Sequence, residues 1–148
     1  MLQPSTLQFL IDLKNNNNKA WFDANRKYYE NAKADFNAFV GELVTAFTEI
    51  NPALQGILVK DCVFRINRDV RFSTNKAPYK TNFGAGINEG GKKSILGGFY
   101  FHCEPGGGNF LGGGIYQPMP TELSKIRQEI DYCFDEFDNI ISEETFKQ

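Results

Sequence analysis

The sequence predicts an α+β fold, and three observations predict it. Through the first fifty residues the apolar side chains recur at spacings of three and four. From residue 57 they alternate instead, as in half-buried strands. After Pro118 and Pro120 the helical spacing returns. Helices, then strands joined by short turns, then a helix, imply an N-terminal helical hairpin and a C-terminal helix packed on a mainly antiparallel, meander-like sheet. At 148 residues one α+β domain over 1–148 is expected, large enough to hold a core without staples. Fourteen phenylalanines predict that this core is aromatic.

Ser5 or Thr6 is placed to cap a first helix carrying Leu7, Leu10, Ile11 and Leu13. The run Asn15 to Asn18 ends it, because Asn tolerates left-handed backbone and also caps helix starts. One long helix follows. Its stripe includes Phe22, Tyr29, Ala32, Phe36, Val40, Leu43 and Phe47, and Asn51-Pro52 stops it. Trp21 and Phe22 at its entry read as packing anchors.

Cys62, Phe64, Ile66, Val70 and Phe72 then predict one face of a first strand, with Arg65, Asn67, Asp69 and Arg71 on the other. Arg68 falls on the apolar face, where an unpaired charge is costly, so a helix acid such as Asp23 or Glu30 is its expected partner. Thr81 to Ile87 predicts a second strand, Asn88 to Gly91 a hairpin turn, Ile95 to Glu104 a third strand and Phe110 to Tyr116 a fourth. Glycines 112 to 114 suggest a bulge there. Leu123, Ile126, Ile130, Cys133, Phe134 and Phe137 predict one final amphipathic helix.

The charge pattern carries the functional reading. The chain has a net charge of −2, yet Phe64 to Lys80 holds five cations against the single acid Asp69. That argues against a general nucleic-acid coat protein and for a local anion site, leaving a local nucleic-acid contact open. Arg65 and Arg71 would grip a small anionic or phosphate-bearing ligand with planar forks. Asn67 and Asp69 would orient them, Lys76 and Lys80 would form the rim, and Tyr79 could stack on a ring. The alternative is a structural ion network. His102, the only histidine, shares a strand face with Tyr100 and Glu104, so a hydrolase or transferase using His102 and Glu104 with arginine assistance is the second hypothesis. A protein-interaction domain is the third, using a tail in which residues 120–148 hold eight acids and three bases.

Three cysteines without a CxxC pair support neither zinc nor thioredoxin-type chemistry; no metal or cofactor is expected, and Cys62 and Cys103 read as core thiols. Gly86 to Lys93 nearly spells a phosphate-binding loop, but Lys93 stands where a Ser or Thr must ligate magnesium, and a strand follows instead of a helix. Arg68-Asp69 followed by Asn75 echoes a kinase catalytic loop with the Asn one position late. The N-terminus shows no leader, and no run is apolar enough for a membrane span.

Several blocks resemble one family. Asn15 to Asp23 is similar to the opening motif of the family called domain of unknown function 2461. Phe64 to Phe72 with Lys76 to Asn82 resembles its central signature, and Tyr100 to Gly106, Gly112 to Pro118 and Ile126-Arg127 resemble its later blocks. The resemblance implies a bacterial, cytoplasmic protein and relatives that continue past residue 148, which leaves room for a further C-terminal part; it implies no activity.

Overall fold

The computed structural model describes residues 1–147 and is α+β. Seven α-helices and a three-stranded sheet are present among the described residues. The chain divides into two compact units, Met1–Gly114 and the segment from Ile115 onward.

In the first unit, α1 (Pro4–Asn15) has Gln3 at its cap position and so starts two residues earlier than a Ser5 cap would allow, and three earlier than a Thr6 cap. Proline occupies the first helical position, where its missing N–H costs nothing. The acceptor at this helix start is Asp35 of a later helix, which takes the Gln3 N–H at 2.9 Å and the Thr6 hydroxyl at 2.5 Å. The asparagine run then does separate jobs. Asn16 donates to the Asp12 carbonyl, Asn17 clasps the Tyr79 backbone through both its amide atoms, and Asn18 caps α2 (Lys19–Ala24) by accepting from Trp21 N. The single long helix expected from Phe22 is instead two, α2 and α3 (Arg26–Ile50). Asn25 divides them, its side chain donating to the Trp21 carbonyl and closing α2. A 3-10 turn (Pro52–Leu54) and a one-turn helix α4 (Val59–Cys62) follow.

The strand expected from Cys62 to Phe72 is absent. Residues 63–68 pass first beside Gly84 and Ala85 and then beside Pro78 to Lys80, with Phe64 N donating to Gly84 O, Lys80 N to Ile66 O and Arg68 N to Pro78 O, but they form only the isolated bridges Val63↔Ala85 and Asn67↔Tyr79. Two local causes break the ladder. Pro78 has no N–H to return a bond. Further on, Asp69 Oδ1 accepts from Arg71 N at 3.2 Å, a side-chain turn that folds the chain before a regular strand can form. Arg65 and Arg71 therefore do not alternate along one strand face.

The sheet comprises β1 (Phe83–Asn88), β2 (Gly98–Cys103) and β3 (Phe110–Gly114), antiparallel in the order β1-β2-β3. The turn after Asn88 forms, with Gly91 N donating to Asn88 O and φ of +81° at both Gly90 and Gly91. Glycines 112 to 114 make no bulge; they pair one to one with Tyr100, Phe99 and Gly98.

The register assigns the two sheet faces. Phe83, Ala85 and Ile87 pair with Cys103, Phe101 and Phe99, and this row meets α3. Phe36 lies between Phe83 and Phe101, with ring centroids at 5.1 and 6.2 Å, and Phe47 stacks on Phe99 at 4.0 Å. Phe9, Leu10 and Leu13 of α1, with Phe22 of α2, complete the core. Cys62 and Cys103 are buried in it as free thiols, and burial pushes the Cys103 thiol up to about 11.

The second unit holds α5 (Pro120–Tyr132), α6 (Phe134–Ser142) and α7 (Glu144–Lys147). The one helix expected here is interrupted at Cys133, which ends α5 and starts α6. None of the three helices buries a residue.

Phe36 is fully buried. Truncating such a ring removes apolar area and leaves a void, so Phe36→Ala should destabilise by about 3–5 kcal/mol, read as the urea midpoint at unchanged slope. A loss below about 1 kcal/mol would contradict the assigned packing.

Candidate functional site

Three separate stretches of chain, α3, the run from α4 into residues 63–68, and the loop after Asn88, bring cations to one place. On α3, Tyr29, Lys33 and Asn37 stand four residues apart and so share a face beside the apolar stripe. The 63–68 segment contributes Val63, Phe64, Arg65 and Asn67. Lys60 comes from α4, and Lys92 and Lys93 come from the loop after the Asn88 turn. With Phe83 they line a cavity of about 670 Å³.

The loop reaches Lys60 because its backbone docks on α4. Lys92 N donates to Asp61 O at 2.9 Å, and Lys92 Nζ donates to the Lys60 carbonyl at 2.9 Å. Gly91 permits the approach twice over. Its φ of +81° suits glycine, and a Cβ there would lie 2.9 Å from the Asp61 carbonyl oxygen.

The electrostatics of the cavity are one-sided. Lys33, Lys60, Arg65, Lys92 and Lys93 line it without a carboxylate. Among the described residues, none of the five is ion-paired. Asn37 adds a carboxamide oxygen that is buried without a hydrogen-bond partner. The apolar part of the lining is Val63, Phe64, Phe83 and the Tyr29 ring.

Of the residues proposed from sequence, Arg65 and Asn67 line this cavity. Tyr79 and Lys80 line a smaller one of about 260 Å³, together with Asn17, Arg68 and Asn82. The Tyr79 ring is committed to the core, stacked on Phe22 at 4.0 Å. Lys80 lies over the Phe64 ring at 5.5 Å; burial, and then Arg65, holds its ammonium below the ordinary lysine range. Asp69 and Arg71 form a surface ion pair at 2.6 Å, which keeps the Asp69 carboxyl below its usual range. Lys76 is exposed and donates to the Val70 carbonyl. Neither cavity includes Asp69, Arg71 or Lys76.

Arg68 does not pair with a helix acid. Asp23 is taken by Lys19 and Glu30 by Arg26, one helical turn away in each case. Arg68 instead donates to the Ala77 carbonyl at 3.0 Å and reaches Ser73 Oγ at 3.4 Å, bracing the 69–77 loop.

His102 and Glu104 belong to a separate polar array on the sheet face away from α3. His102 Nε2 lies 3.2 Å from Glu104 Oε2, and His102 Nδ1 lies 3.1 Å from the Tyr100 hydroxyl and 3.4 Å from Asn82 Nδ2. Thr81 donates to the other Glu104 oxygen at 3.0 Å. The hydrogen bond from His102, then that from Thr81, holds the Glu104 carboxyl below its usual range against the opposing effect of burial. Among the described residues, neither His102 nor Glu104 is hydrogen-bonded or ion-paired to an arginine.

Sequence reasoning missed Lys33, Asn37, Lys60, Lys92 and Lys93. A signal existed for the first two, a polar row Tyr29-Lys33-Asn37 at helical spacing along the edge of the apolar stripe. Nothing in the sequence pattern ties the loop lysines to α4.

A family model described as a conserved hypothetical protein (DUF2461) matches residues 5–148. The chain belongs to the DUF2461 family. No curated protein and no solved structure matches this DUF2461 chain. Among the described residues no helix is long and apolar enough to cross a membrane, and no group of three or more His, Cys, Asp and Glu side chains could hold a metal ion.

Two outcomes follow from this geometry. Gly91→Ala forces a left-handed alanine against the Asp61 carbonyl and should lower stability by about 1–3 kcal/mol in thermal unfolding; an unchanged melting temperature would contradict the docked loop. Glu104 has a folded-state carboxyl below its unfolded value of about 4.3. Its contribution is therefore complete above that pH and is lost as pH falls through the folded value. Glu104→Gln should flatten the acid limb of stability measured by urea unfolding from about pH 6 to about pH 3, whereas an identical limb would remove this role.

Proposed function

We propose that this domain is a binding module for a small anionic, phosphate-bearing ligand held in the basic cavity between α3, α4 and the 63–67 segment. The observation that carries the reading is five cations lining one cavity with no ion-paired partner among the described residues. A structural network would bring carboxylates to these cations, because uncompensated like charges repel and cost stability. Here the compensating charge is left to a ligand. A volume near 670 Å³ suits a small molecule. Lys33, Lys60, Lys92 and Lys93 supply point charges, and Arg65 supplies the planar fork that pairs two oxygens of one phosphate. Phe64, Phe83 and Tyr29 give the ligand's uncharged part an apolar wall. A bacterial cytoplasm, the setting the resemblance implies, is rich in such anions.

Isothermal titration of the intact chain with phosphate, pyrophosphate and a nucleoside triphosphate tests this. Binding should weaken as salt rises. Arg65→Ala and Lys33→Ala each remove a charge-assisted contact worth about 1.5–3 kcal/mol, so each should cost roughly 10- to 100-fold in affinity. Lys27→Ala, on the same helix but away from the cavity lining, should leave affinity unchanged. Absence of binding by all three anions at low salt would overturn the proposal.

A further inference from the structure

The polar array on the sheet face away from α3 offers chemistry that an anion-binding cavity does not need. Tyr100, His102 and Glu104 sit at alternate positions of β2, so their side chains project from one face. Glu104, held ionised, can only accept, and it takes the His102 Nε2–H. That fixes the imidazole tautomer and leaves Nδ1 as the acceptor for the Tyr100 hydroxyl at 3.1 Å. Thr81 holds the carboxylate from its far side, and the Phe110 ring stacks on the imidazole at 4.9 Å and 14°. The phenol is positioned as carefully as the base. Gly84, paired with His102 across β1 and β2, carries no side chain, and a Cβ there would stand 2.7 Å from the Tyr100 oxygen. The ring thus leans over the β1 backbone toward Nδ1 because position 84 is empty. An acceptor held by a carboxylate, aimed at a hydroxyl, is the arrangement by which a weak nucleophile is activated.

We propose that Tyr100, His102 and Glu104 form a carboxylate–imidazole–phenol relay that makes the Tyr100 oxygen an acyl-accepting nucleophile toward carboxylic esters. In the step, Tyr100 Oη bonds to the acyl carbon while its proton passes to His102 Nδ1. The bond from the acyl carbon to the leaving oxygen breaks. The imidazolium, stabilised by Glu104, returns the proton to that leaving oxygen. Water then attacks the acyl-tyrosine by the same route and restores the phenol. Tyr100 is the catalytic residue, His102 the base, and Glu104 and Gly84 are positioning residues.

p-Nitrophenyl acetate is the probe, with site-resolved mass spectrometry of the intact chain, acid-quenched at the earliest times so that acylation is read before water clears the acyl-tyrosine, as the readout. Tyr116, 88% exposed, is the internal reference for an unassisted phenol. Tyr100 should acetylate at least about tenfold faster than Tyr116, since base assistance contributes roughly 10²–10⁴-fold. His102→Gln should remove that advantage. Gly84→Ala, which pushes the hydroxyl off Nδ1 at the tip of a side chain and leaves the helix-facing core in place, should remove it too. Tyr100 acetylation should depend less steeply on pH than that of Tyr116, whose unassisted phenol reacts through its phenolate and slows about tenfold for each unit of pH below about 10. Equal or slower acetylation of Tyr100 in the unaltered chain overturns the proposal, whatever the variants do. A Tyr100 rate that survives His102→Gln in a folded protein overturns it as well.

Discussion

The contact on which the rest depends is the aromatic seam between α3 and the inner sheet face. Phe36 is wedged between Phe83 and Phe101, Phe39 meets Phe101, and Phe47 lies flat on Phe99. Because side chains alternate along a strand, fixing Phe99, Phe101 and Cys103 against the helices obliges Tyr100, His102 and Glu104 to face the other way. A slip of one residue would bury the imidazole and expose the phenylalanines. The same seam fixes the rotation of α3, and so turns Lys33 and Asn37 toward the 63–67 segment. One hydrophobic interface thus sets the orientation of both polar sites.

Turn chemistry does what the seam cannot, which is to gather charges from distant segments. Asn17 ties the α1–α2 joint to the Tyr79 backbone across sixty-two positions, anchoring the C-terminal end of the cation-rich stretch. Gly91 lets Lys92 bond to α4. Five like charges within one cavity repel, and backbone bonds at Lys92 and the helical setting of Lys33 hold them there nonetheless.

Much of the fold was legible in sequence because local period and turn chemistry specify it. The asparagine run, the stop at Asn51-Pro52 and the turn at Asn88 are all local events, and the structure has them. The failures share one cause. Alternation from Cys62 to Phe72 describes a strand, but a strand needs a partner able to return its bonds, and Pro78 and the Asp69 turn withhold them. Arg68 was expected to find an acid, yet the nearby acids are already paired within their own helices, a choice decided by helix geometry. The cationic cavity was half legible. Arg65 and Asn67 came from a visible cluster, whereas Lys33, Lys60, Lys92 and Lys93 meet only through tertiary contacts that carry no linear pattern.

Phe64 connects the two sites physically. Its ring lines the cavity, stands edge-on to Tyr100 at 6.1 Å, and carries Lys80 over its face. The carbonyl of Gly84, the residue whose bareness admits the Tyr100 hydroxyl, accepts from Phe64 N at 2.9 Å. A ring held by its own backbone bond and touched on two sides has little freedom to move independently of either neighbour. The lining of the basic cavity and the phenol beside His102 therefore share one mechanical element. Substitution at Phe64 acts on both, while changes at Lys33 or His102 act on one.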